Sequence, residues 1–154
     1  MSELFRPGTA MVTTSKESES APTKPHQGLR ILVADDDPVN RRLDAMLLER
    51  AGFDSVIVED GLYALEELHS GVFNLILLDI DMPGLSGFET AKRIRSGGGG
   101  QLHTEAVILA LTGFSGDHDK QSCLDAGMDG VLTKPLDMHA LAPWLAKVLS
   151  KSDG

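Results

Sequence analysis

The sequence predicts an α/β fold: a doubly wound, three-layer sandwich in which one open parallel sheet of five strands lies between two layers of helices. Two observations lead to this class. Short apolar runs alternate along the chain with segments of helical periodicity, and several runs are apolar at every position. A strand covered by helices on both faces has that pattern, as in parallel sheets. The 154 residues, 42% of them hydrophobic, suit one domain with a substantial core.

Five apolar runs mark the predicted strands, and the segments after them mark five predicted helices. The strands are ILVA (31–34), SVIVE (55–59), NLILLD (74–79), AVILAL (106–111) and GVLT (130–133). The helices are 38–51, 61–70, 87–96, about 116–126 and 137–150. Right-handed crossovers between successive parallel strands then place helices on both faces of the sheet.

The first predicted helix has clear boundary signals. Asp37 is suited to cap its N-terminus, Pro38 to occupy the first helical position, and Gly52 to end it. Four apolar residues share one face of this helix by their spacing: Val39, Leu43, Met46 and Leu47. The helix therefore begins directly after the acidic run that ends the first strand.

The chain divides into three parts by composition. Residues 1–27 are rich in Ser, Thr, Pro and Lys and have little apolar periodicity, which predicts a disordered N-terminal extension or linker. Residues 28–150 contain all the predicted strands and helices and form the predicted domain. Residues 151–154 are interpreted as a short C-terminal tail.

Composition excludes several classes of function. The formal net charge of −9 and the lack of a basic patch argue against a nucleic-acid partner. The single cysteine, Cys123, excludes an internal disulfide. No apolar stretch reaches membrane-spanning length, and the N-terminus lacks the apolar core of a signal peptide. We therefore expect a cytoplasmic protein without a membrane partner. The five histidines lack metal-ligand spacing, and we interpret them as solvated or incidental.

Polar side chains follow the apolar runs at the ends of four predicted strands. Asp35 and Asp36 follow the first strand, Asp79 ends the third, Thr112 follows the fourth and Lys134 follows the fifth. In an open α/β sheet, ligands bind outside the carboxyl ends of the strands. The sequence therefore predicts that these side chains converge on one site.

The charges at this edge indicate a cation and a phosphoryl group. Three carboxylates held close together repel one another, and their pKa values rise. One Mg²⁺ and one lysine would bring the sum of charges to zero, and Mg²⁺ commonly keeps coordination positions for water and phosphate oxygens. One of the carboxylates could act as a nucleophile, because aspartate can form an acyl phosphate. A lysine and a hydroxyl would then stabilise charge on the transferring group.

Four motifs, in this order and spacing, resemble the receiver domain of two-component response regulators: ILVADDD, LLDIDMPGLSG, ALTG and LTKPL. The resemblance covers roughly residues 29–150. It implies a flavodoxin-like (βα)5 fold with the strand order 2-1-3-4-5. It also implies a phosphoprotein of a two-component or phosphorelay pathway.

The resemblance implies a role for individual residues. Asp79 resembles the phosphoacceptor, and Thr112 and Lys134 resemble the hydroxyl and the ammonium that contact the phosphoryl group. Three acidic residues resemble positions around Mg²⁺: Asp36 as a direct ligand, Asp35 as its neighbour acting through water, and Asp81 through its backbone carbonyl. The family usually has a cis peptide at the position of Lys134-Pro135.

Two positions depart from the family pattern. Val131 stands three residues before Lys134, where the family often has an aromatic side chain whose rotation reports phosphorylation. We therefore expect the signal to travel by shifts of loops and helices. Asp81 adds a further acidic side chain beside the pocket, and we expect it to change the lifetime of the acyl phosphate.

The implied activity is transfer of a phosphoryl group from a phosphohistidine onto Asp79. The donor would be a histidine kinase or a histidine phosphotransfer protein. The surface of the fourth helix, fifth strand and fifth helix would then change its affinity for a downstream protein target. Such a domain catalyses only its own phosphorylation and dephosphorylation, so we do not expect a metabolic enzyme.

Three alternatives remain open at this point. The chain could be the receiver portion of a hybrid histidine kinase. The D-x-D sequence from Asp79 to Asp81 also occurs in aspartate-nucleophile phosphatases, although there it follows the first strand. A binding module with the same fold but no phosphorylation is the third alternative, against which the complete acidic, Thr and Lys set argues.

Overall fold

Five strands form one parallel sheet in the computed structural model, which describes residues 29–113 and 117–153, with the side chains of 117–119 and 151–153 left aside. Their spatial order is β2-β1-β3-β4-β5. The strands are β1 (Arg30–Ala34), β2 (Asp54–Val58), β3 (Leu75–Asp79), β4 (Val107–Thr112) and β5 (Gly130–Thr133). The predicted sheet and its order are confirmed. The extension predicted for residues 1–27 lies outside the described residues.

Each strand is followed by a helix, as predicted. The helices are α1 (Pro38–Arg50), α2 (Gly61–Ser70), α3 (Gly87–Arg95), α4 (Asp117–Asp125) and α5 (Met138–Asp153). A short 3-10 turn at Gln101–His103 precedes β4. None of the helices within the described residues is both long and apolar enough to cross a membrane.

Two hydrophobic cores lie on opposite faces of the sheet. One combines alternate residues of the strands with α2, α3 and the end of α4, including Ala64, Leu68, Ala91, Ile94 and Cys123. The other combines the remaining strand residues with α1 and α5, including Leu48, Leu141, Leu145 and Val148. The five residues of β3 are all buried because helices cover both faces of this central strand. This is the predicted three-layer arrangement.

The start of α1 follows the predicted boundary signals. The Asp37 carboxylate accepts a hydrogen bond of 2.8 Å from the backbone N–H of Val39, and Pro38 is the first helical residue. The cap satisfies a backbone donor that has no partner inside the helix. As a result, only three residues separate the end of β1 from the start of α1, which lies close to the carboxyl edge of the sheet.

Only part of the predicted apolar face of α1 packs on the core: Leu47 is partly buried there, and the other three residues are exposed. Val39 is 70% exposed, and Leu43 and Met46 are also exposed, whereas Asp44 and Leu48 are buried. A helix in this position normally buries its apolar stripe. The protein therefore carries an exposed apolar stripe on α1, defined here as Val39, Leu43 and Met46, beside the end of β1.

One histidine differs from its interpretation as solvated or incidental. His103 is buried, and its two ring nitrogens bond to backbone groups of different segments. Nε2 accepts from the N–H of Phe73 at 3.0 Å, and Nδ1 lies 2.9 Å from the carbonyl oxygen of Gly99. His103 therefore links the start of β3 to the glycine-rich turn after α3, at the edge of the sheet opposite the acidic residues.

We expect Gly87→Ala to lower the free energy of unfolding by about 1–3 kcal/mol, because the new methyl group would be overpacked. Its Cβ would overlap the carbonyl oxygen of Asp79 and lie 2.9 Å from the Cα of Ile80, and both are backbone atoms. Urea denaturation measures the change. Gly113→Ala is the control, since no atom of the described residues lies within 4 Å of its added Cβ. Equal stability of the two variants would contradict this packing.

Candidate functional site

Three aspartates meet at the carboxyl edge of the sheet. Asp35 and Asp36 follow β1, and Asp79 is the last residue of the neighbouring strand β3. One carboxylate oxygen from each lies within 4.8 Å of the others, so the three could hold a single metal ion. Asp35 and Asp79 are buried, while Asp36 is exposed. The predicted convergence of these acids is thus present, with one carboxylate open to solvent.

Lys134, which follows the edge strand β5, places a positive charge beside these carboxylates. Its ammonium nitrogen lies 2.9 Å from Oδ2 of Asp79 and 3.4 Å from Oδ2 of Asp35. The backbone N–H of Lys134 donates a hydrogen bond of 2.8 Å to the carbonyl oxygen of Thr112. The peptide bond from Lys134 to Pro135 is cis, as predicted. The loop after β5 therefore reaches across β4 to the two buried carboxylates.

Each buried carboxylate is fixed through one oxygen only. Oδ1 of Asp35 accepts from the N–H of Asp37 at 2.9 Å, and Oδ1 of Asp79 accepts from the N–H of Asp81 at 3.1 Å. Both Oδ2 atoms are buried and accept no hydrogen bond of good geometry from the described residues. They face the Lys134 ammonium only as an ion pair. Buried carboxylate oxygens are normally fully satisfied, so this pair is suited to an additional cation.

The electrostatics of the pair favour neutralisation. Burial raises the pKa of Asp79 from 3.8 to about 6; the Lys134 ammonium opposes this rise, and the charge of Asp35 adds to it. Burial lowers the pKa of Lys134, but the two carboxylates raise it by more, so it lies above 10.5. A lysine that stays charged and an aspartate that ionises near neutrality are consistent with a site that still lacks positive charge.

The remaining predicted site residues lie around this cluster. Thr112 is buried at the end of β4, in register with Thr133 of β5. The N–H of Asp81 is bonded to Asp79, whereas its side chain is exposed. Val131 is partly buried, packs on the core and pairs with Ala110. An aliphatic side chain thus lies where the family often has an aromatic one.

Two residues of α1 close to the site were not predicted. Nη1 of Arg41 donates a hydrogen bond of 2.9 Å to the backbone carbonyl of Asp35, which ties α1 to the end of β1. Asp44, one turn later, is buried. Arg41 and Asp44 are three residues apart, so they lie on the same face of the helix. This spacing is the sequence signal from which their shared position could have been predicted.

This chain belongs to the response regulator receiver domain family, whose model matches residues 31–145. It is 35% identical over 138 residues to the sensor histidine kinase RcsC of Salmonella typhi. The match covers 90% of this chain and 14% of RcsC, so the chain spans a small part of that relative.

Two solved structures place the fold among receivers. One is the receiver domain of the sensor histidine kinase PA1611 from Pseudomonas aeruginosa, with a magnesium ion coordinated in its active site cleft. It is 29% identical, with a TM-score of 0.70, and the match covers 80% of this chain and 98% of that one. The other is the Saccharomyces cerevisiae complex of the histidine phosphotransfer protein Ypd1 with the Ssk1 receiver domain. It is 29% identical, with a TM-score of 0.66, and the match covers 74% of this chain and 83% of that one.

We expect Asp79→Asn to stabilise the metal-free protein more at about pH 8 than at about pH 4. The raised pKa means that the folded state resists ionisation of Asp79, so wild type loses stability as pH rises from about 4 through 6. The variant avoids that loss, which is on the order of 1–3 kcal/mol. Thermal unfolding with a chelator present measures it.

Asp81→Asn is the control for this effect, because it removes an equal charge from an exposed side chain two residues away. It should change stability little at either pH. An Asp79→Asn variant that is no more stable than wild type at the higher pH would contradict the electrostatic description of the site.

Proposed function

We propose that this chain is a phosphoacceptor receiver that takes a phosphoryl group from a phosphohistidine onto Asp79 in a Mg²⁺-dependent reaction. One observation carries the proposal. The Asp79 carboxylate shares a pocket with Asp35 and Asp36, within 4.8 Å, and with the Lys134 ammonium at 2.9 Å. That combination provides a nucleophile, a place for a dication and a fixed positive charge in one pocket.

The residues of the pocket fit a magnesium ion. Asp36 and Asp79 would provide carboxylate oxygens, the Asp81 backbone a carbonyl oxygen, and Asp35 would act through water. The buried Oδ2 atoms of Asp35 and Asp79, which accept no hydrogen bond from the part of the chain that the structure describes, support this assignment. Mg²⁺ prefers one or two carboxylates together with waters and phosphate oxygens. When bound, the ion would neutralise charge on the phosphoryl oxygens.

The transfer itself is a displacement at phosphorus. An oxygen of the ionised Asp79 carboxylate forms the new O–P bond, the N–P bond to the donor histidine breaks, and its electron pair stays on the imidazole. Lys134 offsets the negative charge of the phosphoryl oxygens, and the Thr112 hydroxyl donates a hydrogen bond to one of them. Hydrolysis later returns Asp79 to its carboxylate form, so the domain acts on no substrate other than itself.

The exposed apolar stripe on α1 supports a helical phosphodonor protein as partner. Val39 is 70% exposed one turn from the acidic edge, and Leu43 and Met46 continue the stripe along the helix. Apolar side chains spaced in this way suit packing against the helices of another protein. We propose that a histidine phosphotransfer protein or a histidine kinase docks here and so directs its phosphohistidine at Asp79. The Ypd1–Ssk1 complex gives a precedent for such a pairing.

The surface of α4, β5 and α5 is the proposed contact for a downstream protein target. Its groove is lined by side chains that include Lys120, Val131, Ala140 and Trp144. The Trp144 ring lies where a side chain at position 130 would be, so glycine there lets α5 approach β5 closely. Without an aromatic residue at position 131, the signal would pass through the β4–α4 loop and through α5.

The similarity to part of RcsC favours a receiver within, or working with, a hybrid histidine kinase in the cytoplasm. The phosphatase alternative is not favoured, because the acidic pair of this chain follows the first strand and the chain belongs to a signalling family.

We expect Asp79→Asn to abolish acyl-phosphate formation from a small phosphodonor and Mg²⁺, because the amide cannot act as the nucleophile. Intact-mass spectrometry detects the added phosphoryl group, and hydroxylamine should remove it from wild type. Glu49→Gln, which removes an exposed carboxylate of α1 and leaves the pocket residues intact, is the control and should still be labelled. Label retained on the Asp79 variant would overturn the assignment.

We also expect Val39→Ser and Leu43→Ser to slow phosphotransfer from a histidine phosphotransfer protein by about tenfold, which corresponds to the loss of an apolar contact of about 1–2 kcal/mol. Labelling by a small phosphodonor should be unchanged, because it needs no docking surface. Leu62→Ser is the control, since Leu62 is 58% exposed on α2. If all three variants accept phosphoryl groups from the protein donor like wild type, α1 is not the docking surface.

A further inference from the structure

Asp44 is a buried acidic residue of α1. It lies in the middle of α1 and is 4% exposed. Among the described residues its side chain makes no hydrogen bond and no ion pair. Burial makes a carboxylate costly to ionise, so the charge of Asp44 depends on the charges around it. The proposed phosphotransfer reaction does not use this residue.

The inner face of α1 directs Asp44 toward the proposed pocket. Arg41, three residues earlier on the same face, donates its hydrogen bond to the backbone carbonyl of Asp35. Asp44 follows about 4.5 Å further along the helix axis. Leu48, a further turn along, belongs to the core between α1, α5 and the sheet. Along α1, Asp44 therefore lies between Arg41, which contacts the end of β1, and Leu48, which packs in the core.

The charges that act on Asp44 belong to the pocket. Burial raises its pKa from 3.8 to about 6, the charge of Asp35 raises it too, and the Lys134 ammonium lowers it. Arg41 is the nearby cation of its own helix. The neighbouring strand β2 has one charged residue, Asp54, at the end remote from the site. On α5, Lys147 and His139 are exposed.

We propose that Asp44 is a proton-linked charge behind the phosphoryl pocket: near pH 6 it releases a proton when the pocket binds a divalent cation and regains it when the cation leaves. This inference rests on the proposed Mg²⁺ site. Asp44 makes no hydrogen bond or ion pair with Asp35 or Lys134, so the coupling acts through space.

The balance of charges gives the direction of the coupling. When all three are ionised, Asp35, Asp36 and Asp79 carry three negative charges and Lys134 one positive charge, a sum of −2 without a cation and zero with Mg²⁺. The net negative charge of the cation-free pocket therefore opposes ionisation of Asp44. With Mg²⁺ bound, the pocket is neutral and this repulsion is removed. On cation binding the O–H bond of Asp44 breaks, and the proton passes to the buffer. The charge of Asp44 in turn strengthens binding of the cation, by linkage.

The test is Mg²⁺ binding by isothermal titration calorimetry in two buffers of different ionisation enthalpy. At about pH 6, wild type should release more protons per Mg²⁺ than Asp44→Asn. At about pH 8, the variant should bind Mg²⁺ on the order of fivefold more weakly, since a nearby negative charge is lost. At about pH 5, where Asp44 is protonated in both the free and, largely, the bound protein, the difference in affinity should shrink.

Two further variants make the outcome decisive. Glu49→Gln removes an equal charge from an exposed position of the same helix and should behave like wild type. Asp44→Val removes the charge and the polarity, and should match Asp44→Asn in proton release. Both Asp44 variants should raise the melting temperature more at about pH 8 than at about pH 4, because wild type alone must ionise a buried group.

The outcomes separate this inference from the proposed function. If wild type and Asp44→Asn release equal numbers of protons and bind Mg²⁺ equally, the inference fails while the Mg²⁺ site stands. If wild type binds no Mg²⁺, the proposed function and the inference fail together.

Discussion

The contact between the Lys134 ammonium and the buried carboxylates of Asp35 and Asp79 is the interaction on which the site depends. It joins the ends of three strands: β1 and β3 supply the acids, and the loop after β5 supplies the cation, at 2.9 and 3.4 Å. The parallel strand order makes the meeting possible, because β1 and β3 are neighbours and their carboxyl ends lie at one edge. The backbone bond from Lys134 to Thr112 then ties β4 to the same cluster.

This cluster is incompletely compensated. One lysine faces two buried carboxylates whose Oδ2 atoms accept no hydrogen bonds from the described residues, and burial raises the pKa of Asp79 to about 6. A buried ion pair of this kind adds little to stability and can reduce it. The same deficit of positive charge gives the pocket its proposed affinity for a dication and then for a phosphoryl group. The charges required for the proposed chemistry thus reduce the stability of the folded protein.

The sequence alone predicted the elements whose residues repeat a pattern. The continuous apolar runs identified the strands, and the polar residue after each run identified Asp35, Asp79 and Lys134 as neighbours. The order of strands needed the family resemblance, because apolar runs do not state which strand lies beside which. Burial of individual residues on α1 was not predictable: Val39, Leu43 and Met46 are exposed while Asp44 is buried, and only the packing of α1 on the sheet decides which residues are covered. His103 was missed for the same reason, since its partners are backbone groups distant in sequence.

The central claim is that the acids after β1 and β3 share one divalent cation beside Lys134. A crystal structure with Mn²⁺, located by its anomalous scattering, tests it directly. The ion should be coordinated by the carboxylates of Asp36 and Asp79 and by the carbonyl of Asp81, and Lys134 should remain beside Asp79. An ion bound elsewhere on the protein, or none at this edge under saturating Mn²⁺, would contradict the account.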